Sequence, residues 1–343
     1  MELDLSTQKL ATHENLLEIR NLRKWFPVQK TFLDQLLAGK VNYVRAVDGV
    51  NLDIRRGEAF GLAGESGSGK TTIGRLAIGL AKPTEGDVVF DGINLNKINE
   101  EELRRMRRRM QVIFQDPMAS LNPRMTLGDS VSHGLKIHYP QRDDEHREMT
   151  LAIFEKVGLT PARYFLNKYP HQISGGQRQR VAIARALITR PELILADEPI
   201  AMADVSVRAL LLDLMVQLKN EFNLTYLFIT HDLATAKYIC DRIGVLYLGK
   251  MVEMGSLKDM YQHPLHPYTQ ALLAAVPVPN PLLKRTQPMP AGEIPNPINP
   301  PPGCRFHPRC PFAKEICTKD EPELLEIRTG HWVACHFANT FLC

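Results

Sequence analysis

The sequence predicts an α/β fold built around a phosphate-binding loop. Residues 64–71, Gly-Glu-Ser-Gly-Ser-Gly-Lys-Thr, fit the pattern of glycine, four residues and then Gly-Lys-Ser/Thr. The apolar run 59–63 before this loop predicts a buried strand, and the apolar run 73–80 after it predicts a helix. A second buried strand is predicted at 193–196, directly before two acidic residues. This order is typical of a sheet whose ligands bind at the carboxyl ends of its strands.

The loop carries the chemistry needed to bind a nucleotide. Its glycines let the backbone turn tightly, so that its N–H groups can face phosphate oxygens. Lys70 is predicted to reach the outer phosphates, and the Thr71 hydroxyl is predicted to bind Mg²⁺. The positive end of the following helix favours the same anion. The predicted nucleotide-binding residues of this loop are Gly64, Glu65, Ser66, Gly67, Ser68, Gly69, Lys70, Thr71 and Thr72.

Composition and charge exclude several classes of protein. The 343 residues are 44% hydrophobic and 23% charged, which suits one large domain with an extension, or two domains. A net charge of +4 gives no general attraction to nucleic acid or to membrane surfaces. The first residues have no signal-peptide pattern, and no apolar run reaches the roughly eighteen residues of a transmembrane helix. We therefore expect a cytoplasmic protein.

An aromatic pair ends the first predicted strand, at 16–26. Trp25-Phe26 either stacks on a nucleotide base or packs as ordinary core or surface side chains. Residues 30–41 then interrupt the strand pattern, and we interpret them as an inserted loop with a short amphipathic helix. Further strands are predicted at 44–54, 86–90, 111–114 and 226–230, and mainly helical structure at 120–168.

Three more groups are candidates for chemistry. Residues 173–177, Ile-Ser-Gly-Gly-Gln, precede a predicted helix and form a second possible anion site. Asp197 could hold Mg²⁺ through water, and Glu198 could polarise an attacking water; alternatively they are a surface pair of acids. His231 follows another buried strand, where a histidine is either structural or functional.

Taken together and in this order, these motifs resemble the ATP-binding subunit of an ABC transporter. Residues 64–71 resemble the Walker A loop, and 193–198 resemble Walker B with its catalytic glutamate. Gln115 resembles the Q-loop glutamine and His231 the switch histidine. The signature motif would be formed by Ser174, Gly175, Gly176 and Gln177.

The resemblance implies a fold with three parts and an extension. These are a RecA-like core, an antiparallel β subdomain and a helical subdomain, followed by a small Cys-rich C-terminal extension. The implied boundaries are a tail at 1–15, the ATP-binding domain at 16–262 with its helical subdomain at about 116–180, and the extension at 263–343.

The resemblance also implies a mechanism. Two subunits would sandwich two ATP molecules head to tail, so that the signature residues contact the nucleotide of the partner. Glu198, His231 and Gln115 would be catalytic, and Phe26 would stack on adenine. Thr71, Gln115 and Asp197 would hold Mg²⁺. ATP would close the dimer, and hydrolysis would release it.

One motif departs from the family. Residues 201–204 are Ala-Met-Ala-Asp, where the family commonly has Ser-Ala-Leu-Asp. The missing serine affects how this segment communicates with the opposite site. Asp204 is retained and is predicted to cap a helix at 207–218. Because Glu198 and His231 are both present, we expect an active ATPase.

The C-terminal part resembles the dipeptide/oligopeptide/nickel importer group. The resemblance rests on residues 266–273, His-Pro-Tyr-Thr-Gln-Ala-Leu-Leu, and the segment at 30–41 is similar to the second of that group's two ATPases. It implies a second, homologous ATPase, two permeases and an extracytoplasmic binding protein as partners, with no nucleic acid. The chain would lie peripherally on the cytoplasmic face of the membrane. Peptides are the first candidate cargo, and oligosaccharides or nickel are alternatives. A soluble ABC-type ATPase acting on ribosomes or nucleic acid is the rival hypothesis.

Four cysteines are clustered near the end of the sequence, beyond a Pro-rich connector at 277–302. Four thiolates suit a [4Fe–4S] cluster or a tetrahedral zinc ion, and free or disulfide-bonded cysteines are a further alternative. Close Cys-x₂₋₄-Cys pairs, which are usual for zinc, do not occur here, and the importer resemblance favours the iron–sulfur cluster. The predicted ligands are Cys304, Cys310, Cys317 and Cys335, whereas Cys240 is expected in the core and Cys343 near a loose end.

Overall fold

The computed structural model describes residues 14–28, 42–140, 143–276 and 292–341. The predicted inserted loop at 30–41, most of the predicted connector and Cys343 lie outside these residues. The strands are β1 (Asn15–Pro27), β2 (Tyr43–Arg55), β3 (Ala59–Ala63), β4 (Glu85–Phe90), β5 (Ile93–Asn94), β6 (Met110–Ile113), β7 (Leu193–Asp197), β8 (Thr225–Ile229), β9 (Arg242–Tyr247), β10 (Lys250–Ser256), β11 (Leu325–Arg328) and β12 (His331–Val333).

The helices alternate with these strands, as the sequence predicts. The strand–loop–helix order around the phosphate loop is confirmed, with β3 at the predicted residues. The α-helices are α1 (Lys70–Ala77), α2 (Glu100–Arg107), α3 (Pro117–Ser120), α4 (Leu127–His138), α5 (Asp143–Lys156), α6 (Ala162–Leu166), α7 (Gly175–Leu187), α8 (Val205–Phe222), α9 (Leu233–Ile239), α10 (Leu257–Gln262), α11 (Pro267–Ala275) and α12 (Glu315–Lys319).

A small antiparallel sheet forms one layer, in the order β2-β1-β4-β5. Its long strands alternate between buried and exposed side chains, because only one face packs on the core. Ile19 pairs with Leu52 on one side and with Val88 on the other, and all three side chains are buried. This sheet matches the expected antiparallel β subdomain.

The larger sheet is mixed and has the order β11-β12-β10-β9-β3-β8-β7-β6 among the described residues. The five strands from β9 to β6 are parallel, and their side chains are almost continuously buried since helices cover both faces. Strands β10, β12 and β11 extend it in antiparallel fashion. The chain beyond residue 262 therefore adds two strands, β11 and β12, to the sheet formed by the earlier part of the chain.

Between β6 and β7 the chain is helical, from α3 to α7, as predicted for about 120–168. Leu127, Val131, Phe154 and Val181 are each fully buried in a cluster that also contains residues of β7 and β8. The helical part is thus packed directly on the parallel sheet, near the ends of the strands that carry the predicted site. No helix in the described ranges is long and apolar enough to cross a bilayer.

A buried polar pair joins the C-terminal strands to the core. Glu253 of β10 and His331 of β12 are both fully buried, and their carboxylate oxygen and ring nitrogen lie 2.8 Å apart. The Glu253 carboxylate also accepts hydrogen bonds from the backbone N–H groups of Leu265, at 2.7 Å, and His266, at 3.0 Å. Burial of such a carboxyl group is tolerated because both of its oxygens are hydrogen-bonded.

Candidate nucleotide site

The phosphate loop lies between β3 and α1, at the carboxyl end of the parallel sheet. Gly64 and Gly69 have φ angles of 145° and 109°, in the left-handed half of the map where glycine is favoured. A Cβ atom at Gly64 would lie 2.3 Å from the carbonyl oxygen of Leu246, and one at Gly69 would lie 2.3 Å from that of Ala46. Both positions therefore require glycine for steric as well as conformational reasons.

Lys70 begins α1 and is only 6% exposed. Its ammonium group donates to the carbonyl oxygens of Gly64, at 2.7 Å, and Glu65, at 2.9 Å. Burial lowers the pKa of Lys70, whereas the nearby carboxylates, first Glu198 and then Asp197, oppose this shift. The side chain is thus a buried cation held by the loop itself, close to where phosphate oxygens would bind.

Thr71 and Asp197 form the second part of the site. The Thr71 hydroxyl donates to a carboxylate oxygen of Asp197 at 3.2 Å, and links α1 to the end of β7. Burial raises the pKa of Asp197, the Thr71 hydrogen bond lowers it, and the negative charge of Glu198 raises it again. A hydroxyl and a carboxylate at this point are oxygen ligands of the type that Mg²⁺ prefers.

Glu198 occupies a strained position directly after β7. Its φ angle is +47°, which is uncommon for a residue with a side chain and is often found at functional sites. One carboxylate oxygen lies 3.0 Å from a ring nitrogen of His231. The other accepts a hydrogen bond from the Gln115 amide at 3.1 Å. The three predicted catalytic residues, from three separate loops, therefore meet at one carboxylate.

An open cavity of about 740 Å³ lies in front of these groups. Phe26 stands at its rim and is 43% exposed, whereas Trp25 does not line it; Arg45 lies over the Trp25 ring at 5.4 Å. Of the predicted residues, those that line the cavity are Phe26, Ser66, Gly67, Gly69, Lys70, Thr71, Thr72, Gln115, Glu198 and His231. The structure brings most of the predicted site together, and it places Phe26 rather than Trp25 where a base could stack.

The four signature residues lie outside this cavity, at the start of α7. The Ser174 side chain accepts a hydrogen bond from the backbone N–H of Gln177 at 3.3 Å, and the Gln177 side chain accepts one from Ser174 at 3.0 Å. This reciprocal capping box fixes the helix start. A Cβ at Gly175 would meet nothing within 4 Å. The motif is therefore a preorganised helix N-terminus that does not line the nucleotide cavity of its own chain.

The predicted helix cap at Asp204 was wrong. Asp204 stands at the N-terminal cap position of α8, but its side chain makes no capping hydrogen bond. Arg208, one turn into α8, instead donates to the carbonyl oxygens of Ala203, at 2.8 Å, and Ala201, at 3.4 Å. The segment 201–204 is thus held by hydrogen bonds to its backbone carbonyl groups. The sequence pattern alone does not predict these bonds.

The four C-terminal cysteines line one small cavity of about 20 Å³, together with Phe306 and other aromatic side chains. Burial, with a smaller contribution from the neighbouring cysteines, raises the pKa of Cys304 to about 12 and that of Cys335 to about 11, although a backbone hydrogen bond opposes the shift at each. The described cysteines form no disulfide. Within the described ranges, no group of three or more His, Cys, Asp or Glu side chains is arranged to hold a metal ion. Cys240 is buried in the core, as predicted.

Comparison with known proteins decides the family. The family described as "ABC transporter" matches residues 47–201, and "Oligopeptide/dipeptide transporter, C-terminal region" matches 252–317. The oligopeptide transport ATP-binding protein AppF of Bacillus subtilis (strain 168) is 48% identical over 95% of this chain and 98% of its own length. The chain is an ABC transporter ATP-binding subunit. Within that family it carries the oligopeptide/dipeptide type of C-terminal region.

Other relatives of this ABC subunit agree. The oligopeptide transport ATP-binding protein OppF of Escherichia coli (strain K12) is 46% identical over 93% of this chain and 95% of its own. Among solved structures, the ATP-binding cassette MJ0796, a dimer bound to ADP and Pi, is 33% identical. It covers 70% of this chain and 98% of its own, with a TM-score of 0.61. The ABC-type fold and the ATPase class predicted from the motifs are therefore confirmed.

Proposed function

We propose that this ABC subunit hydrolyses ATP to power the import of peptides through a pair of membrane permeases. The observation that carries the proposal is the Glu198 carboxylate, held between His231 and Gln115 at the edge of the cavity that Lys70 and Thr71 line. The peptide cargo is supported by relatives such as AppF and OppF, whose names state oligopeptide transport.

The proposed chemistry needs little from the protein beyond positioning and charge. Lys70 would pair with the outer phosphates, and backbone N–H groups of the loop would hold their oxygens. The Glu198 carboxylate would orient the attacking water and accept its proton. His231 would then contact the terminal phosphate. Gln115 would sense whether the site is occupied and would also contact the permeases. Mg²⁺, held by Thr71, Asp197 and Gln115, would neutralise charge on the phosphates.

The signature residues are proposed to act on the nucleotide of a partner subunit. Ser174, Gly175, Gly176 and Gln177 lie at a capped, partly exposed helix start outside the cavity of their own chain. A helix N-terminus favours an anion, so ATP in the partner's cavity would draw two subunits together head to tail. We propose that the partner is a homologous ATPase and that both lie on the cytoplasmic face of the membrane. An extracytoplasmic binding protein would deliver the peptide.

The test uses the assembled transporter in lipid vesicles, with this chain on the outer face. Release of a labelled oligopeptide that is enclosed in the vesicle with the binding protein should require ATP on the outside, because the proposed nucleotide site belongs to this chain. Lys70→Ala should abolish transport while the complex still assembles, as judged by co-purification. ATP hydrolysis that responds to ribosomes or nucleic acid, and not to the permeases and the peptide-loaded binding protein, would contradict the proposal and favour the rival class.

We also propose that the four C-terminal cysteines hold a [4Fe–4S] cluster. The support is that all four cysteines line one small cavity and together supply a Cys₄ ligand set. Among the described residues their side chains are not yet grouped as a metal site, so cluster binding would have to draw them together. The cluster would be structural, closing a segment that has little core of its own. Iron, acid-labile sulfide and zinc should be counted per chain after purification without oxygen, with Cys310→Ser in parallel. About four irons and four sulfides are expected, and both should be lost in the variant; one zinc without iron would overturn the proposal.

A further inference from the structure

We propose that Arg309 is a positioning residue for the phosphate loop, which it holds through Glu65. Arg309 belongs to the C-terminal segment, directly before Cys310, and Glu65 is the second residue of the loop. The inference rests on the proposed nucleotide site. It gives that site a further supporting residue, Arg309, which lies outside all of the sequence motifs described above. It assigns part of the C-terminal region a role in nucleotide affinity that acts through the phosphate loop.

The contact itself is bidentate. Two guanidinium nitrogens of Arg309 donate to the two carboxylate oxygens of Glu65, at 2.8 Å and 3.1 Å. The arginine side chain is 7% exposed and the glutamate side chain 29%. A paired, largely buried fork of this kind fixes orientation as well as distance, which a lysine cannot do in the same way.

The other polar groups of Glu65 are also held. Its backbone N–H donates to the hydroxyl of Tyr268 in α11 at 2.9 Å, and its carbonyl oxygen accepts from the Lys70 ammonium at 2.9 Å. Two of these three attachments, through Arg309 and Tyr268, come from beyond residue 262. Glu65 is thus bonded both to Lys70, the predicted phosphate-binding lysine, and to the C-terminal region.

An aromatic platform supports Arg309. The guanidinium carbon lies 5.8 Å from the ring centre of Tyr247 and 6.0 Å from that of Phe306. Tyr247, Tyr268 and Phe306 contact one another with ring centres 4.7 to 5.3 Å apart, and all three are buried. Because the rings are tightly packed, the position of Arg309 is fixed before any ligand binds.

The consequence is a preorganised loop. A loop that is free to move must be ordered when ATP binds, and that cost lowers affinity. Arg309 would remove part of the cost in advance without touching the nucleotide. Its loss should therefore weaken ATP binding while leaving the rate at saturating ATP nearly unchanged.

The experiment compares two arginines from the same segment in the full-length chain. Arg309→Lys removes the fork but keeps the charge. Arg305→Lys is the matched control, because Arg305 is equally buried and holds the same segment to Leu248 and Asp48, not to the phosphate loop. ATP affinity is measured by equilibrium titration with Mg²⁺-ATP on the Glu198→Gln background, and KM and kcat on the otherwise wild-type transporter.

We expect Arg309→Lys to raise the Kd and KM for ATP about fivefold and to change kcat by less than about twofold. Arg305→Lys should leave the Kd within about twofold of the parent value, even if both variants unfold more easily. Equal losses of ATP affinity in the two variants would contradict the inference, because Arg309 would then stabilise the fold in general and not the phosphate loop in particular. An unchanged Kd in Arg309→Lys would overturn the inference.

A double-mutant cycle gives a readout that does not depend on stability. Glu65→Gln should weaken ATP binding about fivefold in the parent, but less than about twofold once Arg309 is lysine, since the contact is already lost. Additive effects would contradict the proposed coupling. If the parent chain fails to bind ATP, the proposed function and this inference fall together, whereas normal parent binding with additive variants removes the inference alone.

Discussion

Two glutamate–histidine pairs in this chain have the same chemistry and very different surroundings. Glu198 and His231 lie 3.0 Å apart at the open cavity, where the histidine side chain is 60% exposed. Glu253 and His331 lie 2.8 Å apart, and neither side chain is exposed at all. The comparison shows that the same two residue types can form either an open pair or a fully buried one.

Burial and the number of fixed partners distinguish the two pairs. The Glu253 carboxylate has three hydrogen-bonding partners, two of them backbone N–H groups that cannot move away. Glu198 has two side-chain partners from separate loops, and it holds a strained φ angle. A carboxylate that must meet water and phosphate needs exchangeable partners, whereas one that fastens two strands needs permanent ones.

The largest expected effect is on hydrolysis. Glu198→Gln should lower the ATPase rate about a thousandfold, because the amide cannot accept a proton from water. The free energy of unfolding should change by less than about 1 kcal/mol, since the group is at an open site. Steady-state ATPase assays and urea unfolding measure the two quantities. A large loss of stability in this variant would show that the open pair, like the buried one, holds the fold together.

The reciprocal change at the buried pair should act on stability. Glu253→Gln should lower the free energy of unfolding by about 3 kcal/mol, because it replaces a buried, fully bonded carboxylate with a group that matches its partners poorly. The ATPase rate per folded molecule should stay within about twofold of wild type. Urea unfolding with a parallel activity assay tests this. Loss of activity without loss of stability would mean that the buried pair has a role in the site.

The histidine of the open pair gives a smaller effect. His231→Gln should lower the ATPase rate about thirtyfold, less than Glu198→Gln, because it removes a contact to the carboxylate and phosphate but not the base itself. His331→Gln is the matched variant at the buried pair, and its effect should again be on unfolding. If His231→Gln hydrolyses ATP at the wild-type rate, the contact at 3.0 Å is only a structural one.

The smallest expected effect is a dependence of stability on pH. His266 donates its backbone N–H to Glu253 and is fully buried, and burial lowers its pKa to about 4. Between that value and the ordinary 6.5 the unfolded chain binds the proton and the folded chain does not, so acidification favours unfolding.

His266→Asn removes this proton site but keeps a side-chain oxygen that can cap α11, as the His266 ring nitrogen does now. Between pH 6.5 and pH 5, wild type should lose about 1.5 kcal/mol more unfolding free energy than the variant. Urea unfolding at the two pH values measures this difference. Parallel losses in both proteins would show that His266 is protonated in the folded state.

The sequence predicted the open pair because its residues stand in local motifs. The glycines of the loop, the acids after β7 and the histidine after β8 all follow buried strands, and parallel strands bring such positions to one edge. The strands that the sequence analysis named lie within about a residue of their predicted positions, whereas β5 and β9 to β12 were not predicted. The roles assigned to individual site residues remain predictions.

The buried pair and the contact between Arg309 and Glu65 could not be predicted in this way. Arg309 and Glu65 are 244 residues apart, and no local pattern states which buried charges will meet. Strand β12 has three residues, too few for an alternation to be recognised. The cap predicted for Asp204 was wrong because a side-chain preference does not fix the loop backbone, which Arg208 holds instead.

The pairing of β12 with β10 also has a consequence for synthesis on the ribosome. His331 follows its partner Glu253 by 78 residues, so the edge of β10 is made long before the strand that covers it. At ordinary elongation rates this interval lasts on the order of 4 to 16 seconds. During that time the nascent sheet has an open edge, where Glu253 lacks its histidine partner, and such an edge invites aggregation or chaperone binding. The last step in folding this sheet is then the pairing of β12 with β10, and not the formation of the nucleotide site.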